Sequence, residues 1–277
     1  MMIPLRIAHL TKRYGDRLAL DDLSLDVTRG TVFGLLGRNG AGKSSTIACV
    51  LGLISKSAGE IALFGEPLQP RTFDRIAYLP EINCLDGWMT TRQHIEFRSR
   101  CFSRFDRALM NELMERFEIE PGRALRKLSK GQRQAVALAL AFAQRPELMM
   151  LDEPASGLDP VMQHRLLDSI VSAAADGVTV LFSSHQIGHV EQAAERIAIL
   201  DQGRLALEAD VDELRATRFL IEAVFDDGRL EQRYANGDVA AIEAQLRSLS
   251  PVTVTRRAMN LEQIFFTTID EKKERLG

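Results

Sequence analysis

Residues 37–44 read Gly37-Arg38-Asn39-Gly40-Ala41-Gly42-Lys43-Ser44. Glycines at this spacing let backbone N–H groups turn inward around phosphate oxygens. An apolar run, Thr31 to Leu36, precedes them, and a helical pattern, Ser44 to Leu53, follows. Strand, glycine-rich turn and helix N-terminus in that order make an anion cradle. Within it Lys43 can reach the β- and γ-phosphates of a nucleotide, and the Ser44 hydroxyl can hold Mg²⁺. Further along, the apolar strand Leu148 to Leu151 ends in Asp152 and Glu153. Asp152 is placed to meet Mg²⁺ through its water shell, and Glu153 to orient and polarise an attacking water. Before that strand, Leu128-Ser129-Lys130-Gly131-Gln132 offers Ser129 as an N-cap and Gln132 as the start of a long helix. His185 follows the strand Val178 to Phe182. His9, His94, His164 and His189 match no such pattern and are read as surface or structural.

The elements that must position these residues alternate in type. Strands are expected at Ile3 to Leu10, Ser24 to Val27, Thr31 to Leu36, Ile61 to Phe64, Arg75 to Leu79, Leu148 to Leu151 and Val178 to Phe182. Helices are expected at Ser44 to Leu53, Gln132 to Gln144, Val161 to Ala175 and Ile187 to Arg196. The pair Ile197 to Leu200 and Arg204 to Leu207 flanks Asp201-Gln202-Gly203, a hairpin signal. Alternation of this kind means an α/β core with a largely parallel sheet. A charged, helical block from about Thr90 to Glu118 interrupts it as an inserted subdomain. After about Leu214 the character changes. Two strands flank Asp226-Asp227-Gly228, and the patterns at Val239 to Leu249, Val252 to Thr255 and Leu261 to Ile269 complete a small α+β appendage.

These motifs, in this order, resemble the ATP-binding subunit of an ABC transporter over roughly residues 3 to 213. LSKGQ resembles the family's signature, with Lys130 standing where the motif has a glycine. The resemblance implies a P-loop NTPase (RecA-like) core with a mostly parallel sheet, an antiparallel β subdomain, a helical subdomain inserted at about 84–130, and an appendage over 214–277. It implies ATP and Mg²⁺ as cofactors, with ATP held by Tyr14 and by Gly37, Arg38, Asn39, Gly40, Ala41, Gly42, Lys43, Ser44 and Ser45. Tyr14 resembles the aromatic residue that stacks on adenine. Ser156-Gly157-Leu158-Asp159 resembles the D-loop that communicates across a dimer, and His185 the switch histidine. Leu128, Ser129, Lys130, Gly131 and Gln132 would cap the ATP of a partner subunit.

One position departs from the family's pattern. The glutamine expected after Tyr78-Leu79-Pro80 is Glu81, which brings a negative charge toward Asp152, Glu153 and the phosphates. By resemblance Glu81 joins Glu153 and His185 as a catalytic residue, and Ser44 and Asp152 as a metal ligand. The departure, and the Leu261-Glu262-Gln263-Ile264-Phe265 run, resemble the bacterial ABC-2-type export branch. Asn83 to Thr91, with the single tryptophan Trp88, then corresponds to the part of the cassette that receives the membrane subunit.

The implied protein is an ATP-hydrolysing motor, peripheral on the cytoplasmic face of the inner membrane. It would work with a second ATP-binding subunit, identical or a paralogue, and an integral membrane permease. Composition agrees with a globular chain: 277 residues, 45% hydrophobic and 26% charged. Lys plus Arg is 35 against 38 acidic residues, a net charge of -3, so no nucleic-acid partner is expected. Arg98, Arg100, Arg104 and Arg107 cluster on the insert and read as a solvated helix face. The three cysteines, Cys49, Cys84 and Cys101, form no CxxC pair, as suits a reducing compartment. No stretch is apolar for the roughly 20 residues a bilayer needs, and no signal peptide is read at the start. Competing readings are a soluble ABC ATPase acting on nucleic acid or ribosomes, a non-hydrolytic regulator, and a P-loop kinase. The first lacks coiled coils or basic arms here, the second has no need of Glu153 and His185, and the third none of LSKGQ.

Overall fold

The computed structural model describes residues 3–82 and 85–274. β1 (Leu5–Tyr14) and β2 (Arg17–Val27) form a hairpin, β3 (Val32–Gly37) runs into α1 (Lys43–Val50), and β4 (Ala58–Leu63) returns to β1. β5 (Ile76–Leu79) precedes the helices α2 (Thr91–Cys101) and α3 (Arg107–Arg116). α4 (Lys130–Ala143) leads to β6 (Leu148–Asp152), α5 (Pro160–Ala175) to β7 (Thr179–Ser184), and α6 (Ile187–Ala193) to the hairpin of β8 (Arg196–Asp201) and β9 (Arg204–Asp210). Then follow α7 (Val211–Thr217), β10 (Arg218–Val224), β11 (Leu230–Asn236), α8 (Val239–Ser248), β12 (Thr253–Ala258) and α9 (Leu261–Glu274).

The apolar strands make a six-stranded sheet in the order β5-β6-β7-β3-β8-β9. All its neighbours pair in parallel except the β8–β9 hairpin. Strands buried on both faces need apolar residues at every position, and their side chains alternate between two cores. Val32, Leu36, Met149, Leu151, Val180, Phe182, Ile197 and Ile199 face a core shared with helices α4 and α5. Phe33, Leu35, Leu148, Met150, Leu181, Ala198 and Leu200 face the other, closed by α1 and a three-stranded antiparallel sheet, β2-β1-β4. From Gln134 to Ala143 every residue of α4 is buried, as a helix apolar on all sides must be.

Boundaries depart from the sequence reading where capping and bulges intervene. The block from Thr90 to Glu118 is two helices, because Asp106 caps α3 by accepting the Leu109 N–H at 2.9 Å and is fixed by Arg145. The helix expected to reach Arg196 stops at Ala193, because Glu195 donates its N–H to the Val32 carbonyl and carries the chain into β8. β1 runs to Tyr14 rather than Leu10 by absorbing register shifts between Ile7 and Arg13.

The C-terminal part contributes to two cores. A separate small core holds Ile221, Ala223, Phe225, Ala235 and Leu246, between α8 and the antiparallel sheet β11-β10-β12. Val211, Leu214, Leu220, Met259, Leu261, Ile264, Phe265 and Ile269 belong instead to the larger core of the cassette. α9 therefore returns to pack on α6 and β9. The apolar positions of Leu261 to Ile269 were legible as a helix; the surface they cover, far back along the chain, was not.

Candidate functional site

The turn after β3 is shaped by glycine. Gly40 and Gly42 have φ of 82° and 110°. A Cβ on Gly42 would lie 2.7 Å from the Leu20 side chain and 3.0 Å from the Ala19 carbonyl, so no side chain fits there. α1 has no side-chain N-cap, whereas Thr90, Asp106, Ser129 and Asp159 cap α2, α3, α4 and α5. Its first N–H groups thus point into the turn without side-chain acceptors, where a phosphate can take them. The tip of the β8–β9 hairpin steadies this arrangement. Gly203 donates to the Ala41 carbonyl at 3.0 Å, and its own carbonyl accepts from Asp21 at 2.9 Å.

Lys43 is 6% exposed. Its ammonium donates to the Gly37 carbonyl at 2.8 Å and lies 3.4 Å from Glu153 Oε1. Glu153 follows β6 in a left-handed backbone conformation, φ 47°, uncommon for a residue with a side chain. Its other carboxylate oxygen meets His185 Nδ1 at 2.8 Å. The Ser183 hydroxyl, fully buried, donates to Asp152 Oδ1 at 2.6 Å and accepts the Glu153 N–H at 2.9 Å. One serine therefore fixes both carboxylate residues at the strand end.

Around these groups opens a cavity of about 370 Å³ lined by Tyr14, Arg17, Ala19, Asn39, Gly40, Gly42, Lys43, Ser44, Ser45, Glu81, Glu153 and His185. The structure thus brings ten of the expected residues onto one cavity, Tyr14 and Glu81 included. Tyr14 is half exposed, with Lys12 4.7 Å above its ring. Gly37 and Arg38 line a neighbouring cavity of about 560 Å³, which shares Asn39 and His185 and is walled by Phe265 and Phe266 of α9. Asp152 and Ala41 are buried beside the first cavity rather than on its lining. Leu128, Ser129, Lys130, Gly131 and Gln132 do not line it. Ser129 instead caps α4 in a reciprocal pair with Gln132. Asp159 caps α5, and Ser156, Gly157 and Leu158 form the turn before it.

Arg17 and Ala19 were not among the residues read from the sequence. Arg17 Nη2 lies 3.6 Å from the Cβ position of Gly40, which puts a guanidinium beside the phosphate turn. The only signal was its place three residues after Tyr14. His189 and His94 are half-buried or buried, and burial pushes both imidazoles below the ordinary histidine range. His9 pairs with Asp22, and His164 with Asp168 and Gln192.

Among the described residues, no group of three His, Cys, Asp or Glu could hold a metal ion unaided. The donor set nevertheless suits Mg²⁺, which keeps waters and takes phosphate oxygens with one or two protein oxygens. Ser44 on the cavity wall and Asp152 behind it are oxygens of that kind. The arginines of the insert are engaged: Arg100 and Arg107 with Glu96, Arg104 with Glu147, and Arg98 over the Phe102 ring. Near Glu81, Ile82 and Trp88 are 84% and 67% exposed, so Trp88 does not pack the insert onto the core. Asn83 and Cys84, within the segment expected to meet the membrane subunit, lie outside the described residues. No helix among the described residues is long and apolar enough to cross a membrane.

Comparison with known proteins agrees with this geometry. Residues 20–156 match the family model described as ABC transporter. The chain is 32% identical over 292 residues to the ABC transporter ATP-binding protein YtrB of Bacillus subtilis, covering 98% of this chain and 99% of that protein. It is 38% identical over 213 residues to the daunorubicin resistance ATP-binding protein DrrA3 of Streptomyces coeruleorubidus, covering 74% of this chain and 67% of the relative. A solved structure of an ATP-binding subunit of an ABC transporter superposes with a TM-score of 0.71 at 29% identity, covering 78% of this chain and 92% of that one.

Proposed function

The chain belongs to the ABC transporter family as an ATP-binding, ATP-hydrolysing subunit, and we propose that Glu153, Lys43 and His185 are the groups that run its cycle. The observation that carries this reading is the Glu153 carboxylate, held between the Lys43 ammonium and the His185 ring at the floor of the cavity.

ATP would enter with its triphosphate over the N-terminus of α1 and its base toward Tyr14. The γ-phosphate takes the Lys43 ammonium away from Glu153, a charge-assisted contact that needs no rebuilding of the glycine turn. Glu153 is then free to accept a hydrogen bond from the attacking water, and His185 to donate one to the γ-phosphate oxygens. Ser44 and Asp152 would hold Mg²⁺, which supplies charge neutralisation on the β- and γ-phosphates when bound. Glu81 stands on the same wall and serves as the acidic counterpart of the family's glutamine.

Ser129, Lys130 and Gly131 sit at the start of α4, away from the Lys43 cavity, which supports a site completed by a second subunit. The α4 N-terminus of each chain would cap the γ-phosphate of the other, so ATP joins the pair and hydrolysis releases it. The exposed Ile82 and Trp88, in the stretch after Glu81, are suited to receive an integral membrane permease, with the chain peripheral on the cytoplasmic side. Relatives named for daunorubicin resistance and for Nod factor export support outward transport. The test is Glu153→Gln: it should bind ATP, lose turnover and accumulate as an ATP-bound dimer by gel filtration. Near-normal turnover would remove Glu153 from this role.

A further inference from the structure

The segment that follows Glu153 makes few backbone hydrogen bonds of its own. Ser156 donates to the Glu153 carbonyl at 3.0 Å and Leu158 to the Ala155 carbonyl at 3.2 Å. Its remaining order comes from two glutamine side chains on flanking helices. Gln134 of α4, 3% exposed, donates its amide to the Pro154 carbonyl at 3.3 Å. Gln163 of α5 donates to the carbonyls of Ala155, at 3.4 Å, and of Leu158, at 3.2 Å. Three carbonyls within five residues are thus held by side-chain amides. A buried amide is costly unless it is bonded, so Gln134 commits α4 to this segment.

The amide of Gln163 is itself fixed. Its Oε1 lies 3.3 Å from His189 Nε2. With both amide hydrogens of Gln163 facing carbonyls, its oxygen must accept, and His189 must donate from Nε2. Burial lowers the His189 imidazole pKa, which favours the neutral ring. His189 lies on α6, four residues after His185, so the contact ties the segment following β7 to the turn. On the other side the Lys130 stem lies across Gly157, with Cδ, Cε and Nζ 3.1, 3.2 and 3.4 Å from the position of a Gly157 Cβ. A Cβ on Gly131 would come within 3.0 Å of the Gly157 carbonyl. The start of α4, the turn at 154–158 and α6 therefore form one packed unit whose upstream end is Glu153.

We propose that Gln134 and Gln163, the latter oriented by His189, are positioning residues for the hydrolytic step. They fix the Pro154–Leu158 segment so that the Glu153 carboxylate stays aimed into the cavity when the α4 N-terminus meets the second nucleotide. Neither glutamine lines the nucleotide cavity, so their action is on alignment and not on the affinity of the same chain for ATP. The glycine at 157 follows from its left-handed backbone, φ 78°, while a Cβ there would press on the flexible Lys130 stem.

The proposal rests on Glu153 as the water-orienting carboxylate, so the test runs beside Glu153→Gln. Gln163→Met keeps the length of the side chain and loses every amide bond. Misalignment of a reacting group by a fraction of an ångström lowers turnover steeply, so kcat should fall about tenfold or more. The KM for ATP, and ATP affinity of the isolated chain by calorimetry, should change less than about twofold, since binding contacts are untouched. His189→Leu should reproduce this split, His189→Gln, which keeps an N–H donor, should restore most of the rate, and the double variant Gln163→Met with His189→Leu should be no worse than the single ones. An unchanged kcat in Gln163→Met overturns the proposal. So does a fall in isolated-chain ATP affinity that tracks a lowered Tm, which would mark a merely structural role. If Glu153→Gln retains turnover, the parent reading fails and the positioning role with it. If Glu153→Gln is inactive while Gln163→Met is not, only the positioning role fails.

Discussion

Lys43 Nζ and Glu153 Oε1 are 3.4 Å apart, with both side chains almost wholly buried. In the cycle proposed above, this pair satisfies the two charges that ATP would then separate. A nucleotide must therefore compete with Glu153 for the lysine before the carboxylate becomes available for water. Resting chemistry and bound chemistry use the same atoms in exclusive combinations.

Glu153→Gln removes one competitor while preserving shape. ATP should bind the isolated variant at least as tightly as the parent chain, and turnover should fall by a factor on the order of 10²–10⁴, the usual worth of a positioned base. Calorimetry and steady-state ATPase assays measure the two effects. A large loss of ATP affinity in this variant would contradict the competition.

Lys43→Ala acts on both sides of the same contact. It deletes charge-assisted hydrogen bonds to phosphate worth on the order of 1.5–3 kcal/mol each, so ATP affinity should fall at least tenfold. It also strands the Glu153 carboxylate beside only His185, so thermal stability without nucleotide should fall as well. Calorimetry and a melting curve check the two arms, and unchanged affinity would contradict the phosphate-turn assignment.

Glu81 sits exposed on the cavity wall, within the same lining as Glu153. A carboxylate there repels metal-free triphosphate and favours the metal-loaded form. Glu81→Gln should tighten metal-free ATP binding, raise the Mg²⁺ needed for half-maximal activity, and leave the rate at saturating Mg²⁺ within severalfold of the parent. Superimposable Mg²⁺ titrations of the two proteins would leave Glu81 as a bystander.

Ending the chain after Ala216 removes α9 along with the small antiparallel sheet. Leu261, Ile264, Phe265 and Ile269 are each buried in the cassette core, and each such side chain is worth roughly 1.5–3 kcal/mol. The shortened protein should melt well below the full chain, even though every residue on the nucleotide cavity is retained. Equal melting temperatures would mean that the covering by α9 contributes nothing to stability.

Stability should also decline in mild acid. His94 and His189 have imidazole pKa values lowered by burial. The unfolded chain takes up protons near the ordinary histidine value of about 6.5, while the folded chain resists them until lower pH. Their contribution is complete above that value and is lost as pH falls toward the folded pKa. Melting curves between about pH 7.5 and pH 5 should show this slope, and replacing both histidines by glutamine should flatten it.

The phosphate turn was legible because its chemistry is local: glycines, lysine and serine act within eight neighbouring positions, 37–44. The central strands were legible for a related reason, since burial on both faces demands unbroken apolar runs. What local pattern cannot carry is a partner fixed by distance in the chain. Arg17 became part of the site only because β2 crosses the phosphate turn, and Gln163 met Ala155 and Leu158 only because α5 folds back over the segment before it. The split of the helical insert was written in Asp106, whose cap on α3, bond to the Ala143 carbonyl and contact with Arg145 outweigh a continuous helical pattern. Lys130 was visible as a departure; that its stem fills the space over Gly157 was not.

Synthesis proceeds from the other end of the chain, and this bears on α9. Leu261, Ile264, Phe265 and Ile269 of α9 cover apolar side chains laid down much earlier, and the helix packs on α6 and β9. While the chain is still on the ribosome, the phosphate turn, the paired carboxylates and the switch histidine have all emerged, yet the surface awaiting α9 is bare. Chains that fold as they are made expose such surfaces to other nascent chains and to chaperones. For this protein the larger core is closed only once Leu261, Ile264, Phe265 and Ile269 have emerged, so a nascent chain that lacks them would hold residues 37–44, Asp152, Glu153 and His185 with its flank open.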